Sequence, residues 1–278
     1  MCIRDRVKSR KILGAQTSAI SKFRNGQMQS VQDDLAIEKP LLIKLQTPDG
    51  AIEDLVITMQ TPIATQELVI GFLYTEGTID NASDIISISV TEDEALVQLA
   101  TAPKRKSERN TISSAACGMC GKTSLDAIDL VRQFDLIAYD MSIGLENLLS
   151  INKQVIEKQS LFESTGGIHG AALFDKNGSI ISVSEDIGRH NAVDKAIGTM
   201  LKEGLRPENL GLFVSGRAGF ELVQKCLVSG ISVMVAVGAP SSLAVDYAVA
   251  YGLTLVGFMA EDRFNIYSHQ ERVKLKKS

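Results

Sequence analysis

From residue 168 to residue 258, apolar strands alternate with helices, and this pattern restricts the fold more than any other feature of the chain. Segments 210–215, 231–237 and 253–258 are predicted strands, with a helix predicted after each of the first two. Strands that are apolar along their whole length are buried on both faces, so they should lie parallel in a sheet covered by helices on both sides. A hairpin predicted over 168–183 precedes them. The sequence therefore predicts a three-layer α/β domain with a mixed sheet.

The first third of the chain has the shorter alternating pattern of a small α+β unit, which makes the whole chain α+β overall. Hairpins are predicted over 41–59 and 85–99, with a helix capped by Thr65 between them. Further helices are predicted over 145–158 and 191–203. The predicted organisation is a polar N-terminal tail at 1–29, an α+β domain at 30–102, a loop that carries two cysteines at 103–122, and the α/β domain at 123–278.

Composition excludes several classes of protein. The chain is 45% hydrophobic and 22% charged, which is too apolar for a disordered protein. No apolar run approaches the roughly 18 residues that a membrane span requires, and the first residues are basic without an apolar signal sequence. A net charge of −4 argues against electrostatic binding of nucleic acid. Four cysteines in 278 residues cannot form a disulfide framework, so we expect the reducing cytoplasm as the location.

Cys117 and Cys120 form a CxxC pair, the strongest candidate for chemistry. The spacing suits a redox disulfide, half of a zinc site, or a nucleophilic thiol with a helper. The pair precedes a predicted helix and Lys122, both of which favour the thiolate form, although an inert pair is also compatible with the pattern.

Whether the chain could form a zinc site can be tested by counting its possible ligands. A structural zinc site requires four ligands, and the remaining cysteine and histidines that could serve are all singly spaced. We therefore predict no metal site, and we read Cys226, which lies within a predicted helix, as a buried small hydrophobic residue. The sequence Gly121-Lys122-Thr123 resembles the end of a phosphate-binding loop, but position 116 is alanine rather than the required glycine.

Two turns after predicted strands are candidate anion sites, because ligands collect at the carboxyl ends of parallel strands and helix N-termini bind phosphate. The residues of these turns are Ser215, Gly216, Arg217, Ser241 and Ser242, and Arg263 follows the last strand. Ordinary strand-to-helix turns have similar residues, so both interpretations stay open. His190 lies in the charged segment 185–195, where a solvated loop competes with a role as acid, base or hydrogen-bond donor.

Taken together, these motifs resemble the FdhD family of formate dehydrogenase accessory sulfurtransferases, over positions 30 to 270. The motifs, in order, are ACGMCGKTS at 116–124, TGGIH at 165–169, EDIGRHNAVDK at 185–195, SGR at 215–217, APSSLA at 239–244 and LTLVGF at 253–258. No single motif would be specific, but the ordered set is.

The resemblance implies that Cys117 accepts sulfur from a cysteine desulfurase as a persulfide, with Cys120 as helper or resolving thiol. The sulfur then passes to the molybdenum cofactor that formate dehydrogenase requires, in its bis-molybdopterin guanine dinucleotide form. The cofactor-binding segment of the family corresponds to Phe258, Met259, Ala260, Glu261, Asp262 and Arg263, although Glu261 and Asp262 are more acidic than the family pattern. The resemblance also implies a cytidine-deaminase-like α/β domain without its zinc ligands, and a homodimer.

Two other functions remain compatible with the sequence. A CxxC thiol–disulfide oxidoreductase would have a catalytic dithiol and no affinity for nucleotide. A non-catalytic chaperone for the molybdenum cofactor would bind guanine nucleotide and function without either thiol. The discriminating observation is whether activity follows Cys117 or only the phosphate-binding turns.

Overall fold

The computed structural model describes residues 12–104 and 134–275. The strands in these ranges are β1 (Ala15–Arg24), β2 (Gln27–Ala36), β3 (Lys39–Gln46), β4 (Ile52–Gln60), β5 (Ile85–Val90), β6 (Glu94–Leu99), β7 (Ile143–Gly144), β8 (His169–Asp175), β9 (Ile180–Asp186), β10 (Leu210–Val214), β11 (Val233–Ala236), β12 (Thr254–Gly257), β13 (Asn265–Ser268) and β14 (Val273–Lys274). The α-helices are α1 (Thr65–Thr75), α2 (Leu145–Lys158), α3 (Ser160–Thr165), α4 (Arg189–Lys202), α5 (Phe220–Val228) and α6 (Ser242–Ala250).

A six-stranded sheet with the order β13-β12-β11-β10-β8-β9 organises the C-terminal half. Its strands β10, β11 and β12 are parallel, whereas β8, β9 and β13 are each antiparallel to their neighbours. The three parallel strands are the ones predicted from their apolar sequences, and every residue in them is buried. The mixed sheet that begins with a hairpin is confirmed. β13 was not predicted, because an edge strand with one neighbour does not need an apolar sequence.

The two faces of this sheet enter separate apolar cores, because side chains alternate along each strand. On one face, Leu212 and Met234 belong to a core that also contains residues of α4, α5 and α6. On the other face, Phe213 and Val235 belong to a core shared with α2. Helices therefore cover both faces of the sheet, which confirms the three-layer prediction.

A four-stranded sheet with the order β4-β3-β6-β5 lies in the N-terminal part of the chain. It consists of two antiparallel hairpins joined by the parallel pair β3 and β6, and both hairpins confirm the sequence prediction. Leu41 of β3 and Leu68 of α1 belong to the same apolar core as Leu212 of the large sheet. The core is thus continuous from the small sheet to the large one.

Helices α1 and α4 make the closest contact between the two parts of the molecule, and glycine makes it possible. A Cβ atom on Gly71 of α1 would lie 1.8 Å from the carbonyl oxygen of Asp194. A Cβ atom on Gly198 of α4 would lie 1.8 Å from the carbonyl oxygen of Glu67. The backbones therefore pack directly on each other, and no side chain can be inserted between them.

Two sequence predictions about the N-terminal part are wrong. Residues 15–29 are not a tail, because β1 and β2 form an antiparallel hairpin of ten residue pairs. No residue of either strand is buried, so the apolar alternation that identifies a strand is missing. The N-cap of α1 is Ala64, with φ of 49°, whereas Thr65 is the first helical residue and donates a hydrogen bond to Gln60.

Other predictions fall where the structure gives no test. Most of the predicted loop at 103–122, both cysteines of the CxxC pair and the helix predicted after them lie outside the described residues. The boundaries between the predicted domains, and the likeness to cytidine deaminase, stay predictions. Among the described residues, no helix has the length and apolar character needed to cross a membrane.

The close contact between α1 and α4 predicts that a single methyl group added at either glycine strongly lowers the free energy of unfolding. In a helix, Gly→Ala normally stabilises by about 1 kcal/mol. At Gly71 or Gly198 the methyl group meets backbone that cannot rotate away, so we expect a net loss of about 3 kcal/mol in the free energy of unfolding. Urea unfolding of Gly71→Ala and Gly198→Ala measures this loss.

Gly167→Ala is the matched control, because its Cβ would meet its nearest neighbour at an ordinary 3.8 Å. We expect that variant to stay within about 0.5 kcal/mol of the parent protein. Equal stabilities for all three variants would mean that the two helices can separate at no cost.

Candidate functional site

Three turns meet at the carboxyl edge of the large sheet, where β10, β11 and β12 end. We call them the strand-end turns: 215–219, 237–241 and 258–263. The first two are joined by hydrogen bonds from Gly238 N to Gly216 O at 2.9 Å and from Ala218 N to Ala239 O at 3.2 Å. The third is joined to the second by Phe258 N, which donates to Gly238 O at 3.3 Å. Backbone contacts therefore bring these distant parts of the sequence together.

The strand-end turns contain nearly all of the predicted cofactor-binding residues. These are Ser215, Gly216, Arg217, Ser241, Phe258, Met259, Ala260, Glu261, Asp262 and Arg263, with Ser242 opening α6 directly after the second turn. Gly238 allows the close approach, because a Cβ atom there would lie 2.9 Å from the backbone nitrogen of Arg217. The parallel order of the strands is the reason that these residues share one edge.

The two serines of the first and second turns have structural partners. Ser215 Oγ accepts a hydrogen bond from Gly170 N at 2.9 Å, which ties the first turn to β8. Ser241 is the N-cap of α6, and its side chain accepts from Ala244 N at 3.3 Å. Capping is therefore part of the role of Ser241, as the alternative interpretation of this turn expected.

Arg217 and Arg263 give this edge cationic side chains. Both are exposed, and neither makes an ion pair with any residue in the described ranges. The N-termini of α5 and α6 open from the first two turns and add the partial positive charge of a helix start. Glu261 and Asp262 are exposed on the third turn and oppose this charge there. The first two turns are thus the more favourable place for an anion.

Phe258 and Met259 are adjacent but have different environments. The backbone of Phe258 is left-handed, with φ of 53°, and its side chain is 47% exposed. Met259 is 2% exposed and belongs to the core between the sheet and α2. Non-glycine residues with positive φ are uncommon and concentrate at functional sites. Met259 therefore anchors the third turn, while the ring of Phe258 faces solvent at the site.

Two histidines flank the first strand-end turn. His190, in the first turn of α4, has its Nε2 2.6 Å from Oε2 of Glu221 in α5, and this contact lowers the pKa of Glu221. His169 begins β8 and its ring lies next to Gly216, since a Cβ there would be 3.7 Å from His169 Nδ1. Burial and then the charge of Arg189 lower the pKa of His169. His169 is not among the residues predicted for the site, because a histidine in an apolar strand gives no sign of which turn it faces.

The charged segment 185–195 is not a solvated loop, and that interpretation is wrong. Lys195 is fully buried, with its Nζ 2.6 Å from Asp186 Oδ2 and 2.9 Å from the carbonyl oxygen of Thr61. Asn191 Nδ2 donates to the carbonyl oxygen of Met59 at 2.7 Å. These bonds attach α4 to the end of β4. These charged side chains can be buried because some of their partners, such as Thr61, lie in the N-terminal part of the chain. A local sequence pattern cannot reveal partners so distant in sequence.

A second buried ion pair involves Asp194, the residue of α4 directly before Lys195. Lys225 of α5 has its Nζ 2.8 Å from Asp194 Oδ1, and Thr75 of α1 donates to the same oxygen at 2.8 Å. Burial raises the pKa of Asp194, and the charge of Lys225 opposes that shift. Helices α1, α4 and α5 therefore meet at one buried carboxylate.

Cys226 behaves as the sequence predicts. It is fully buried in α5, and burial raises the pKa of its thiol above the normal value. Cys117 and Cys120 lie outside the described residues. Within the described ranges, no group of three or more histidine, cysteine or acidic side chains is arranged to hold a metal ion.

Comparison with known proteins identifies the relatives of this chain. The model of the FdhD/NarQ family matches residues 36–274. The sulfur carrier protein FdhD of Thermoplasma acidophilum is 41% identical over 265 residues, which cover 93% of each chain. That of Nocardia farcinica is 42% identical over 254 residues, covering 87% of this chain and 89% of its own.

A solved structure has the same fold. The crystal structure of a protein from Desulfotalea psychrophila, described as a formate dehydrogenase accessory protein, superposes with a TM-score of 0.77. It is 26% identical in sequence, and the match covers 94% of this chain and 99% of that one.

The buried pair predicts that two lysines, both of which bridge helices, contribute very differently to the free energy of unfolding. Lys225→Met leaves the Asp194 carboxylate buried without its cation, so we expect the free energy of unfolding to fall by about 3–5 kcal/mol. Lys202→Met removes an even shorter contact, 2.6 Å to Glu67, but this lysine side chain is 49% exposed. Because exposed pairs contribute little, we expect less than about 1 kcal/mol there. Urea unfolding compares the two, and equal losses would contradict the burial of the first pair.

Proposed function

The chain belongs to the FdhD/NarQ family, and on that premise we propose that it is a sulfur carrier that supports the maturation of formate dehydrogenase. Its relatives named sulfur carrier protein FdhD match nearly their whole length, so the proposal concerns the whole chain and not one part of it. In this role the protein accepts sulfur on a cysteine and delivers it to a bound acceptor. A sulfurtransferase therefore needs a reactive thiol and a surface that holds the acceptor.

Cys117 is the proposed sulfur carrier. Its thiolate attacks the terminal sulfur of a cysteine persulfide on a cysteine desulfurase. An S–S bond forms at Cys117 as the S–S bond of the donor breaks, and the donor cysteine leaves as a thiolate. The sequence supports a reactive thiolate here, because Lys122 and the basic residues of 104–109 lie close in sequence.

Cys120 is the proposed resolving thiol. When it attacks the Cys117 sulfur, the persulfide S–S bond breaks and the terminal sulfur leaves as sulfide to the acceptor. The two cysteines are then joined as a disulfide, and a cellular dithiol must reduce them before the next cycle. The overall change is balanced, because two thiol sulfurs are oxidised while one sulfane sulfur is reduced to sulfide.

The molybdenum cofactor, as bis-molybdopterin guanine dinucleotide, is the proposed acceptor and thus a substrate. The strand-end turns suit its phosphates, since two helix N-termini and Arg217 lie at the same edge. The exposed ring of Phe258 offers an apolar face on which a guanine can stack. The acidic pair Glu261 and Asp262 repels phosphate, so we assign the phosphates to the first two turns.

The observation that carries the proposal is that three separate turns converge at one edge in a member of this family, with arginines that make no ion pair within the described ranges. A cytoplasmic location, a homodimer, and contacts with the desulfurase and formate dehydrogenase stay predictions. The same edge also fits a chaperone that binds the cofactor without transferring sulfur, and the experiment on Cys117 separates the two functions.

Incubation with a cysteine desulfurase and free cysteine should add one or more sulfur atoms to the peptide that contains Cys117. Mass spectrometry with and without a thiol reductant measures this gain, which the reductant should reverse. Cys117→Ser should abolish the gain and formate dehydrogenase maturation, because serine cannot form a persulfide. Cys226 is an internal control and should gain no sulfur, because it is buried and its thiol pKa is raised.

Two results would contradict the proposal, and each would contradict a different part of it. Normal maturation of formate dehydrogenase by a folded Cys117→Ser protein would overturn the sulfur carrier function and favour the cofactor chaperone. A desulfurase that is active on other acceptors yet adds no sulfur to Cys117 would remove the first transfer step.

Binding of guanosine diphosphate, measured by calorimetry, tests the acceptor surface. Arg217→Ala should weaken binding by roughly tenfold, because a charged hydrogen bond to phosphate is lost, whereas Arg263→Ala, on the third turn, should weaken it less. Arg206→Ala is the matched control, since Arg206 is also exposed but precedes β10, at the opposite edge of the sheet. Equal binding by all three variants would show that the phosphates do not lie at the strand-end turns.

A further inference from the structure

Two histidines and a glutamate lie beside the first strand-end turn, and the sulfur chemistry proposed above uses none of them. Strand β8 is antiparallel to both β9 and β10, so β9 and β10 run in the same direction. Helices α4 and α5 follow these two strands and therefore begin at the same edge of the sheet. His190 of α4 and Glu221 of α5 meet there, with 2.6 Å between Nε2 and Oε2. His169 opens β8, the strand between β9 and β10, at this edge too.

The order of the strands gives this edge a direction. Strands β12, β11, β10 and β8 are successive neighbours, so the third turn, the second turn, the first turn and His169 follow one another along the edge. Neighbouring strands lie about 4.8 Å apart, which places the two ends of this series about 14 Å from each other. With guanine on Phe258 and the phosphates at the first two turns, the molybdopterin half of the acceptor extends toward His169 and His190. The metal belongs to that half, and the inference therefore rests on the proposed function.

The ring of His169 is neutral at neutral pH. Neither of its nitrogens has a hydrogen-bond partner within the described ranges. Burial lowers the pKa of this histidine, and the charges of Arg189 and His190 act in the same direction. Asp186, which pairs with His169 across β8 and β9, opposes the shift. A neutral imidazole accepts or shares a hydrogen bond, but it is not an acid.

His190 is held by a carboxylate. The contact with His190 lowers the pKa of Glu221, and the nearby charges of Lys225 and Arg189 add to that effect against burial, so Glu221 is ionised at neutral pH. The carboxylate keeps a proton of the imidazole on Nε2 and stabilises the ring when Nδ1 also carries one. Nδ1 has no hydrogen-bond partner within the described ranges. His190 can therefore give a proton through Nδ1 to a group bound at this edge.

Release of the sulfur from its carrier needs a proton. When the Cys120 thiolate attacks the Cys117 sulfur, the electron pair of the persulfide S–S bond passes to the terminal sulfur. A terminal sulfur without a proton would leave as the sulfide dianion, which is strongly basic and hence a poor leaving group. With a proton it leaves as hydrosulfide. An acid beside the acceptor therefore accelerates this step.

We propose that His190 is the acid that protonates the terminal sulfur as it leaves Cys117 for the acceptor, and that Glu221 is the positioning residue that holds His190 for this step. The proton moves from His190 Nδ1 to the sulfur, Cys117 and Cys120 become a disulfide, and solvent returns a proton to the ring. Arginines keep their protons in proteins, and the neutral ring of His169 has no second proton to give. Of the histidines and arginines described at this edge, His190 is thus the one that can act as an acid.

Sulfur transfer from the loaded protein tests the acid. Cys117 is loaded by a cysteine desulfurase, the desulfurase and free cysteine are removed, and formate dehydrogenase from cells that lack this protein is added as the acceptor. Mass spectrometry of the Cys117 peptide follows the loss of sulfur, and formate oxidation follows the activation of the acceptor. His190→Gln should load normally and release its sulfur at least about a hundredfold more slowly, because an amide is not an acid.

His269→Gln is the matched control. His269 also lies close to a carboxylate, 3.1 Å from Glu271, but it follows β13. Because β13 is antiparallel to β12, His269 lies at the opposite edge of the sheet. This variant should load and release sulfur like the parent protein. Normal loading at Cys117 shows that a variant has kept its fold.

The pH profile of release separates an acid from a residue needed only for folding. Release by the parent protein should slow on the alkaline side of its pH optimum, since the imidazole loses the proton that it donates. Glu221→Gln should move this decline to lower pH by about one unit, because the charged ring loses its carboxylate partner. A residue needed only for folding would lower the rate equally at every pH.

Two results would overturn the inference while the proposed function stands. One is release of sulfur by His190→Gln at the parent rate, and the other is a Glu221→Gln profile that is lowered equally at every pH. A parent protein that takes up no sulfur at Cys117 would overturn the proposed function, and this inference with it.

Discussion

The backbone contact between α1 and α4 is the constraint on which the rest of the structure depends. Gly71 and Gly198 let two helices from different parts of the chain approach until carbonyl oxygens fill the space of a missing Cβ. Buried ion pairs lie beside this contact, at Lys195 and Asp186 and at Asp194 and Lys225. A charge left alone in such an interior is strongly unfavourable, so the pairs permit only the arrangement in which both are made.

The contact that joins the two parts of the molecule also orients the candidate site. Helix α4 carries buried charges that bind β4 and α1, and its first turn carries His190 at the carboxyl edge of the large sheet. The same edge receives the ends of β10, β11 and β12. Because one rigid helix connects these features, a change in the helix contact should be felt at the strand-end turns. Structural residues and the candidate site residue His190 are thus neighbours in segment 185–195.

The candidate site combines two proposed roles, anion binding and thiol chemistry, and each comes from a different kind of sequence feature. The proposed anion-binding surface is made by turns that end parallel strands, and its geometry follows from the order of the sheet. The proposed reactive thiol comes from the CxxC pair, which the sequence alone singles out through its spacing and the neighbouring charges. Cys226 shows the contrast, since the same side chain becomes a core residue with a raised pKa once it is buried in α5.

The sequence alone determined the mixed sheet, the strands β10, β11 and β12, the helix at Leu145–Lys158, the family and the residues of the strand-end turns. These follow from local periodicity and ordered motifs, which are properties of neighbouring residues. Only the tertiary structure decided that segment 185–195 is buried, that His169 faces Gly216, that Met259 is an anchor beside an exposed Phe258, and that residues 15–36 form a hairpin. Each of these depends on a partner distant in sequence, or on an edge that needs no apolar face, and neither leaves a periodic signal in the chain.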